Sequence, residues 1–347
     1  MGFKGWPETS VNRDNGEEVN AKAPVIISAS RATDIPAFYS EWFFNRLKKG
    51  YLKWTNPFNG KPQYISFQNT RAIVFWSKNP QPIIPYLPIL EEQKINYYFL
   101  FTLNDYAKEN LEPNVPPLKE RLNTFRKLSR KIGKEKVIWR YDPLILTPNL
   151  GTDQLLNRIK NIGDIIHPYT EKLIFSFVQI NRYRKVRSKL LKESTVFNTK
   201  NLVDAEFRKA QKIEFAKKLT KLNTKWNFRL AQCAGDINLE AYGIEANKCI
   251  DDNLMKRLFA KDKRLMYFLH TGQYPPAGQK HLFDENPGKT PSLKDKGQRP
   301  ACRCIYSKDI GIYNSCPHIC LYCYANSSAK KVKINFSKHN HSNEGII

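Results

Sequence analysis

No stretch of this 347-residue chain approaches eighteen uninterrupted apolar residues, which excludes an α-helical membrane span. The opening residues Met1-Gly2-Phe3-Lys4-Gly5-Trp6-Pro7 lack the apolar run of a secretory leader, and Gly2 lacks the downstream Ser or Thr of a myristoylation site. A cytoplasmic protein without membrane contact is expected. No internal repeat stands out. Cysteine is sparse, seven in all, and an odd number argues against a secreted disulfide framework. Acidic side chains are also in short supply, with 32 Asp and Glu against 57 Lys and Arg, a net charge of +25 at pH 7.

That surplus points to a polyanion partner, DNA or RNA. Two basic groups fit a phosphate backbone: Arg182, Tyr183, Arg184, Lys185 and Arg187 with Lys189 and Lys192, and Arg208, Lys209, Lys212, Lys217 and Lys218. The competing reading is two solvated faces of an outer helical layer, and composition does not separate the two.

With 41% hydrophobic residues the chain can fill a substantial core. Six β-rich runs recur, at 25–30, 72–77, 97–103, 137–141, 173–178 and 227–232, each rich in branched or aromatic residues. Helical patterns lie between them, for example Pro116 to Gly133 and Asp204 to Leu222, with a shorter one from Cys249 to Phe259. The alternation predicts an α/β fold, a full or partial TIM-like β/α barrel of about six or more parallel strands. The runs end in polar residues, among them Arg31, Asp34, Lys78, Arg140 and Asp142, where such a barrel builds its active face. The expected organisation is a barrel over 1–235, opened by some twenty loop-like residues, and a cysteine-rich region over 236–328 packed on the barrel mouth. A Pro- and Gly-rich linker from Tyr274 to Pro300 leads into the cysteines, and a flexible basic tail spans 329–347.

Five of the seven cysteines crowd between Cys302 and Cys323. Cys316, Cys320 and Cys323 form a C-x-x-x-C-x-aromatic-C triplet, whose three thiolates suit three corners of a cubane [4Fe–4S] cluster and leave one iron free for a small molecule. The alternative is a structural zinc ion, with His318, Cys302 or Cys304 as fourth ligand. Neither His318 nor His281 has a catalytic role that sequence alone assigns. Cys233, Cys249, Cys302 and Cys304 form a possible second site, for an auxiliary [4Fe–4S] cluster or a zinc ion.

The triplet resembles the signature of the radical S-adenosylmethionine (SAM) enzymes, and Tyr324-Ala325-Asn326 resembles the cluster loop of the spore photoproduct lyase type. Further blocks, Ile26-Ile27-Ser28-Ala29-Ser30-Arg31, Val74-Phe75-Trp76-Ser77-Lys78-Asn79-Pro80, Trp139-Arg140-Tyr141-Asp142-Pro143 and Asp309-Ile310-Gly311, resemble an uncharacterised family catalogued as domain of unknown function 1848. The resemblance implies a [4Fe–4S] cluster with SAM on its free iron and an electron donor such as flavodoxin or ferredoxin. It also implies that Tyr322 packs near the adenine. Gly235 and Asp236 are the nearest match to the turn that holds the methionine amine. Here the cysteine loop follows the last strands rather than the first, so the order is permuted or the loop appended. Arg31, Asp34, Lys78, Arg140 and Asp142 are the candidate catalytic set, suited to SAM's carboxylate and ribose or to a substrate phosphate. The expected function is radical modification or repair of a nucleic acid. The alternatives are radical chemistry on a peptide or small metabolite, or a zinc-stabilised nucleic-acid-binding protein without catalysis.

Overall fold

The computed structural model describes residues 3, 5–57, 59–275 and 292–347, so His281 and most of the expected linker lie outside the described residues. The chain begins with a hairpin of β1 (Glu8–Asn12) and β2 (Glu18–Lys22), then β3 (Ile26–Ala29), α1 (Ile35–Phe38) and α2 (Ser40–Lys49). A second hairpin, β4 (Tyr51–Thr55) and β5 (Pro62–Ser66), precedes β6 (Ala72–Ser77), α3 (Leu87–Glu92) and β7 (Asn96–Thr102). Next come α4 (Leu118–Ile132), β8 (Val137–Leu144), α5 (Thr152–Ile166), β9 (Lys172–Phe177), α6 (Arg184–Glu193) and α7 (Lys209–Asn223). The remainder is β10 (Arg229–Gln232), β11 (Ile244–Ala246), α8 (Asp252–Leu258), α9 (Lys263–Thr271), β12 (Lys308–Asp309) and α10 (Ala329–Ser337). None of these helices is long and apolar enough to cross a membrane.

Eight strands form one parallel sheet in the order β11-β10-β9-β8-β7-β6-β3-β12. The six runs read from the sequence are β3, β6, β7, β8, β9 and β10. The parallel α/β architecture is therefore present, but the sheet is open: β11 and β12 end it and do not pair with each other. These two edge strands have only three and two residues, too few to make a ladder across the gap.

Alternation along the strands divides the core. One face carries Phe75, Phe99, Phe101, Trp139 and Phe175, buried with Phe43 of α2, Phe125 of α4, Ile159 of α5 and Phe215 of α7. The other carries Ile26, Val74, Trp76, Leu100, Ile138, Ile174 and Ala231. Against this second face pack Leu254 and Met255 of α8, Phe268 and Leu269 of α9, and Cys249, Cys302, Cys304 and Ile305. The space that side chains fill in a closed barrel is thus taken by α8, α9 and the described residues around Cys302 to Ile305.

The first twenty-odd residues are not loop-like, because β1 and β2 join β5 and β4 in a separate four-stranded sheet. Nor is the end of the chain a loose tail. After α10, Glu344 accepts hydrogen bonds from Arg13 Nη2 (3.1 Å) and Tyr51 Oη (2.6 Å), its carbonyl accepts from Lys53 N (2.8 Å), and Ile346 is buried. Truncating Glu344→Ala removes the acceptor of the buried Tyr51 hydroxyl and of Arg13 Nε and Nη2, while Arg13 Nη1 keeps Glu17. A loss of about 1–3 kcal/mol in urea unfolding is expected.

Candidate functional site

All parallel strands point their C-terminal ends the same way, and the cysteine loop docks along that edge. It enters from β12, which pairs with β3 through Lys308↔Ile27 and Asp309↔Ser28. Gly311 follows at a point of close approach, where a Cβ would stand 1.8 Å from Ser30 Oγ and 2.9 Å from Thr33 Oγ1. Thr33 Oγ1 accepts from Ile312 N (3.0 Å) and lies 2.6 Å from Ser315 Oγ, and Tyr39 Oη donates to Ser315 O (2.5 Å). The loop is therefore fixed before its first cysteine.

Asp34 anchors the rest. Its Oδ1 caps α1 by accepting from Ala37 N (3.0 Å), while Oδ2 accepts from Lys78 N (2.7 Å) and lies 2.9 Å from His318 Nε2. The other ring nitrogen of His318 faces Asn114 O (3.1 Å), and Asn114 Nδ2 donates to Pro317 O (2.9 Å). Lys189, reaching in from α6, donates to the carbonyls of Cys320 (2.9 Å), Cys323 (2.9 Å) and Asn326 (3.3 Å). Between Cys316 and Cys320 the chain reverses at Ile319, whose φ of +53° is costly for a β-branched residue. These anchors hold that strained turn.

Cys320 is buried, and Cys316 and Cys323 are half-buried. Burial, with Asp34, Cys320 and Cys323 adding to it, drives the Cys316 thiol well up. Burial likewise pushes Cys320 up to about 12, with Lys78 acting in the opposite direction. Such thiols keep their protons until a metal displaces them. Beside Cys320, Lys78 Nζ donates to Glu112 Oε1 (2.6 Å) and to Tyr322 Oη (2.9 Å), and Asn104 Nδ2 donates to Glu112 Oε1 (3.0 Å). Tyr322 also donates to Glu112. Burial would raise the Glu112 carboxyl, but Lys78 and Arg121 outweigh it and hold the group down at about 2.

The structure sorts the candidate rim residues into two kinds. Asp34, Lys78 and Asp142 are consumed by protein contacts, Asp142 by Arg140 and Ser176. Arg31 lies over Trp76 and 3.6 Å from Asp309, yet its Nη2 and the Arg140 Nε are buried with no hydrogen-bond partner among the described residues. Gly235 and Asp236 line a different place, a cleft of about 690 Å³ that also involves Lys248, Asp252 and Arg303 and none of the three-cysteine loop. The Asp236 carboxylate there pairs with Lys212 Nζ at 2.6 Å.

The remaining four cysteines come together near Arg31 and Arg140. Cys233 Sγ lies 3.7 Å from Cys249 Sγ, and Cys304 Sγ accepts from the backbone N–H groups of Cys249 (3.2 Å) and Ile250 (3.4 Å). Among the described residues no three His, Cys, Asp or Glu side chains are already set around a metal position. Lys189, Glu112, Thr33 and Asn114 are contributors that sequence reasoning did not assign. Lys189 was legible only as one of several positive charges, and Glu112 and Asn114 only as members of the block Glu112-Pro113-Asn114-Val115-Pro116 that resembles the family, with no role attached.

The family comparison agrees with the blocks that resemble domain of unknown function 1848. Residues 26–325 match the family described as Domain of unknown function (DUF1848), and the chain belongs to that family. No curated protein matches. Among solved structures, the crystal structure of a "putative alpha-L-fucosidase" from Bacteroides thetaiotaomicron VPI-5482 is similar at 11% identity over 67% of this chain and 92% of that chain, with a TM-score of 0.24.

The buried Lys78–Glu112 pair gives a pH signature. Because the Glu112 pKa is lowered from 4.5 to about 2 on folding, its contribution is complete above 4.5 and disappears as pH falls toward 2. Glu112→Gln leaves Lys78 buried without a counter-charge and is expected to cost roughly 3–5 kcal/mol at pH 7. In urea unfolding the gap between wild type and variant should narrow steadily below pH 4.5. A gap independent of pH would contradict the assignment.

Proposed function

We propose that the chain is a radical-SAM-like enzyme that holds a [4Fe–4S] cluster on Cys316, Cys320 and Cys323 and acts on a nucleic acid. The observation that carries this reading is the fate of the fourth ligand. His318 is engaged by Asp34 and Asn114, and Cys302 and Cys304 stand with Cys249 instead of with the loop. A closed zinc site on the triplet therefore lacks its fourth donor among the described residues, whereas a cubane with one exchangeable iron needs none.

The surroundings fit such a group. The three thiols interact electrostatically with one another, Cys320 is buried while Cys316 and Cys323 are half-buried, and the carbonyls between them are already satisfied by Lys189 and Asn326. A cluster held by Cys316, Cys320 and Cys323 would supply one-electron reduction of SAM, fed by a flavodoxin- or ferredoxin-type donor, as the source of a 5′-deoxyadenosyl radical. The chain's own residues hold and shield. Asp34, His318 and Lys189 fix the loop, Lys78 supplies positive charge beside Cys320, and Tyr322 is locked by Glu112 and Asn104 at the edge of the site. Arg31 and Arg140, with donor nitrogens to spare, suit an anionic group on SAM or substrate.

The nucleic-acid part rests on charge placement. Arg182, Arg184, Lys185 and Arg187 are exposed at the start of α6, the helix whose Lys189 holds the cysteine loop, and they have no ion-pair partner among the described residues. Tyr183 stacks on Tyr324 of the loop with ring centroids 5.7 Å apart. In the second basic group, by contrast, Arg208 pairs with Asp204, Lys212 with Asp236 and Lys218 with Asp153 and Glu214.

Two outcomes test the reading. Anaerobically reconstituted protein with dithionite should release 5′-deoxyadenosine from SAM, and Cys320→Ala should abolish the release; zinc in the triplet with no cleavage would sink it. For binding to single-stranded RNA or DNA, replacing Arg182, Arg184, Lys185 and Arg187 by Gln should reduce the slope of log affinity against log salt by about 3 in magnitude. An unchanged slope would move the substrate to another class.

A further inference from the structure

We propose that Cys233, Cys249, Cys302 and Cys304 bind a single tetrahedral zinc ion that clips together the two free edges of the eight-stranded sheet. Topology makes the first argument. Cys233 follows β10 and Cys249 follows β11, at one end of the strand order, while Cys302 and Cys304 lie on the segment that runs into β12, at the other end. A parallel sheet left open exposes unpaired backbone at both edges. Here the segments beyond the two edges meet over the inner face, where Ile305 N donates to Ile250 O at 3.2 Å. The cysteines cluster at this meeting point.

Thiol geometry makes the second. A tetrahedral centre with zinc–sulfur bonds of about 2.3 Å has sulfur–sulfur edges of about 3.8 Å. The Cys233–Cys249 separation of 3.7 Å matches one such edge. The Cys249 thiol also contacts Cys304, and Cys304 contacts Cys302, so all four belong to one continuous chain of contacts. Thiolates of a cubane cluster each bond a different iron and stand farther apart, which favours one ion over an auxiliary cluster. Among the described residues no three such side chains are yet set around a common point, so metal binding requires the thiols to turn about their Cα–Cβ bonds.

The surroundings of the sulfurs make the third. Cys304 accepts two backbone N–H groups, and Cys249 accepts from Asn247 Nδ2 at 3.2 Å. Donors aimed at sulfur stabilise a thiolate far more than a thiol. The guanidinium groups of Arg31 and Arg140 lie within electrostatic reach of Cys249 and Cys304, and each keeps a buried nitrogen without a partner among the described residues. They offset the negative charge that four thiolates bring to one zinc. Three of the four cysteines are buried in the apolar cluster on the inner face, which keeps water from the metal and makes the site structural.

The test is zinc analysis with X-ray absorption at the zinc edge on the purified full chain. About one zinc per chain is expected, with four sulfur neighbours at about 2.3 Å. Cys304→Ser should lose that zinc while Cys320→Ala keeps it. If Cys304→Ser does not fold, the wild-type spectrum alone decides. Fewer than four sulfurs, iron in this site, or four free thiols without metal would each overturn the proposal. The triplet's chemistry is read separately through 5′-deoxyadenosine, so either site can fail while the other stands.

Discussion

The carboxylate of Asp34 is the constraint on which the site depends. It accepts from the first turn of α1, from the backbone at the end of β6, and faces the imidazole of His318 in the cysteine loop. One buried side chain thus joins the loop after the first strand of the large sheet, the end of the next strand, and a segment nearly 300 residues further along the chain. Around it, Thr33 and Tyr39 fix the approach to the loop, and Lys189 fixes its exit. The strained turn at Ile319 is affordable only because both sides are held. Rigid supports of this kind are what a thiolate site needs, since ligand positions must not drift when the metal or its partner changes.

The open sheet explains why the chain carries two groups of cysteines instead of one. Its outer face is covered in the usual way, by helices bearing large apolar residues. Its inner face is covered by α8, α9 and the described segment that leads into β12, and β11 and β12 are not paired with each other. That segment delivers Cys302 and Cys304 beside Cys233 and Cys249, and then runs on into β12 and the triplet. A single metal at the first group would hold the frame against which the second group is docked. Arg31 and Arg140 lie within electrostatic reach of this first group through Cys249 and Cys304.

Much of this was legible in the sequence. The six central strands announce themselves because buried parallel strands are written in branched and aromatic residues, as in Val74-Phe75-Trp76 and Tyr97-Tyr98-Phe99. The triplet was legible from spacing, and the grouping of the other four cysteines from their number. The β1–β2 and β4–β5 hairpins were not, because their exposed polar faces resemble loops, and β11 and β12 are too short to leave a pattern. Of the full or partial barrel expected from strand–helix alternation, the parallel sheet is present and closure is not, because alternation fixes parallel neighbours but does not say whether the last strand reaches the first. The end of the chain looked loose because its polar composition hides one buried Ile346 and one well-paired Glu344. Lys189 shows the general limit. As a letter it is a charge among charges, and only the fold turns it inward to hold three carbonyls.

The central claim is an iron–sulfur cluster with one exchangeable iron on Cys316, Cys320 and Cys323. It is tested most directly by electron paramagnetic resonance of the dithionite-reduced, anaerobically reconstituted protein, recorded with and without SAM. The account expects a reduced [4Fe–4S] signal in wild type that shifts on adding SAM and is absent from Cys320→Ala. A signal indifferent to SAM, or a protein that takes up zinc at the triplet and gives no signal, would contradict it.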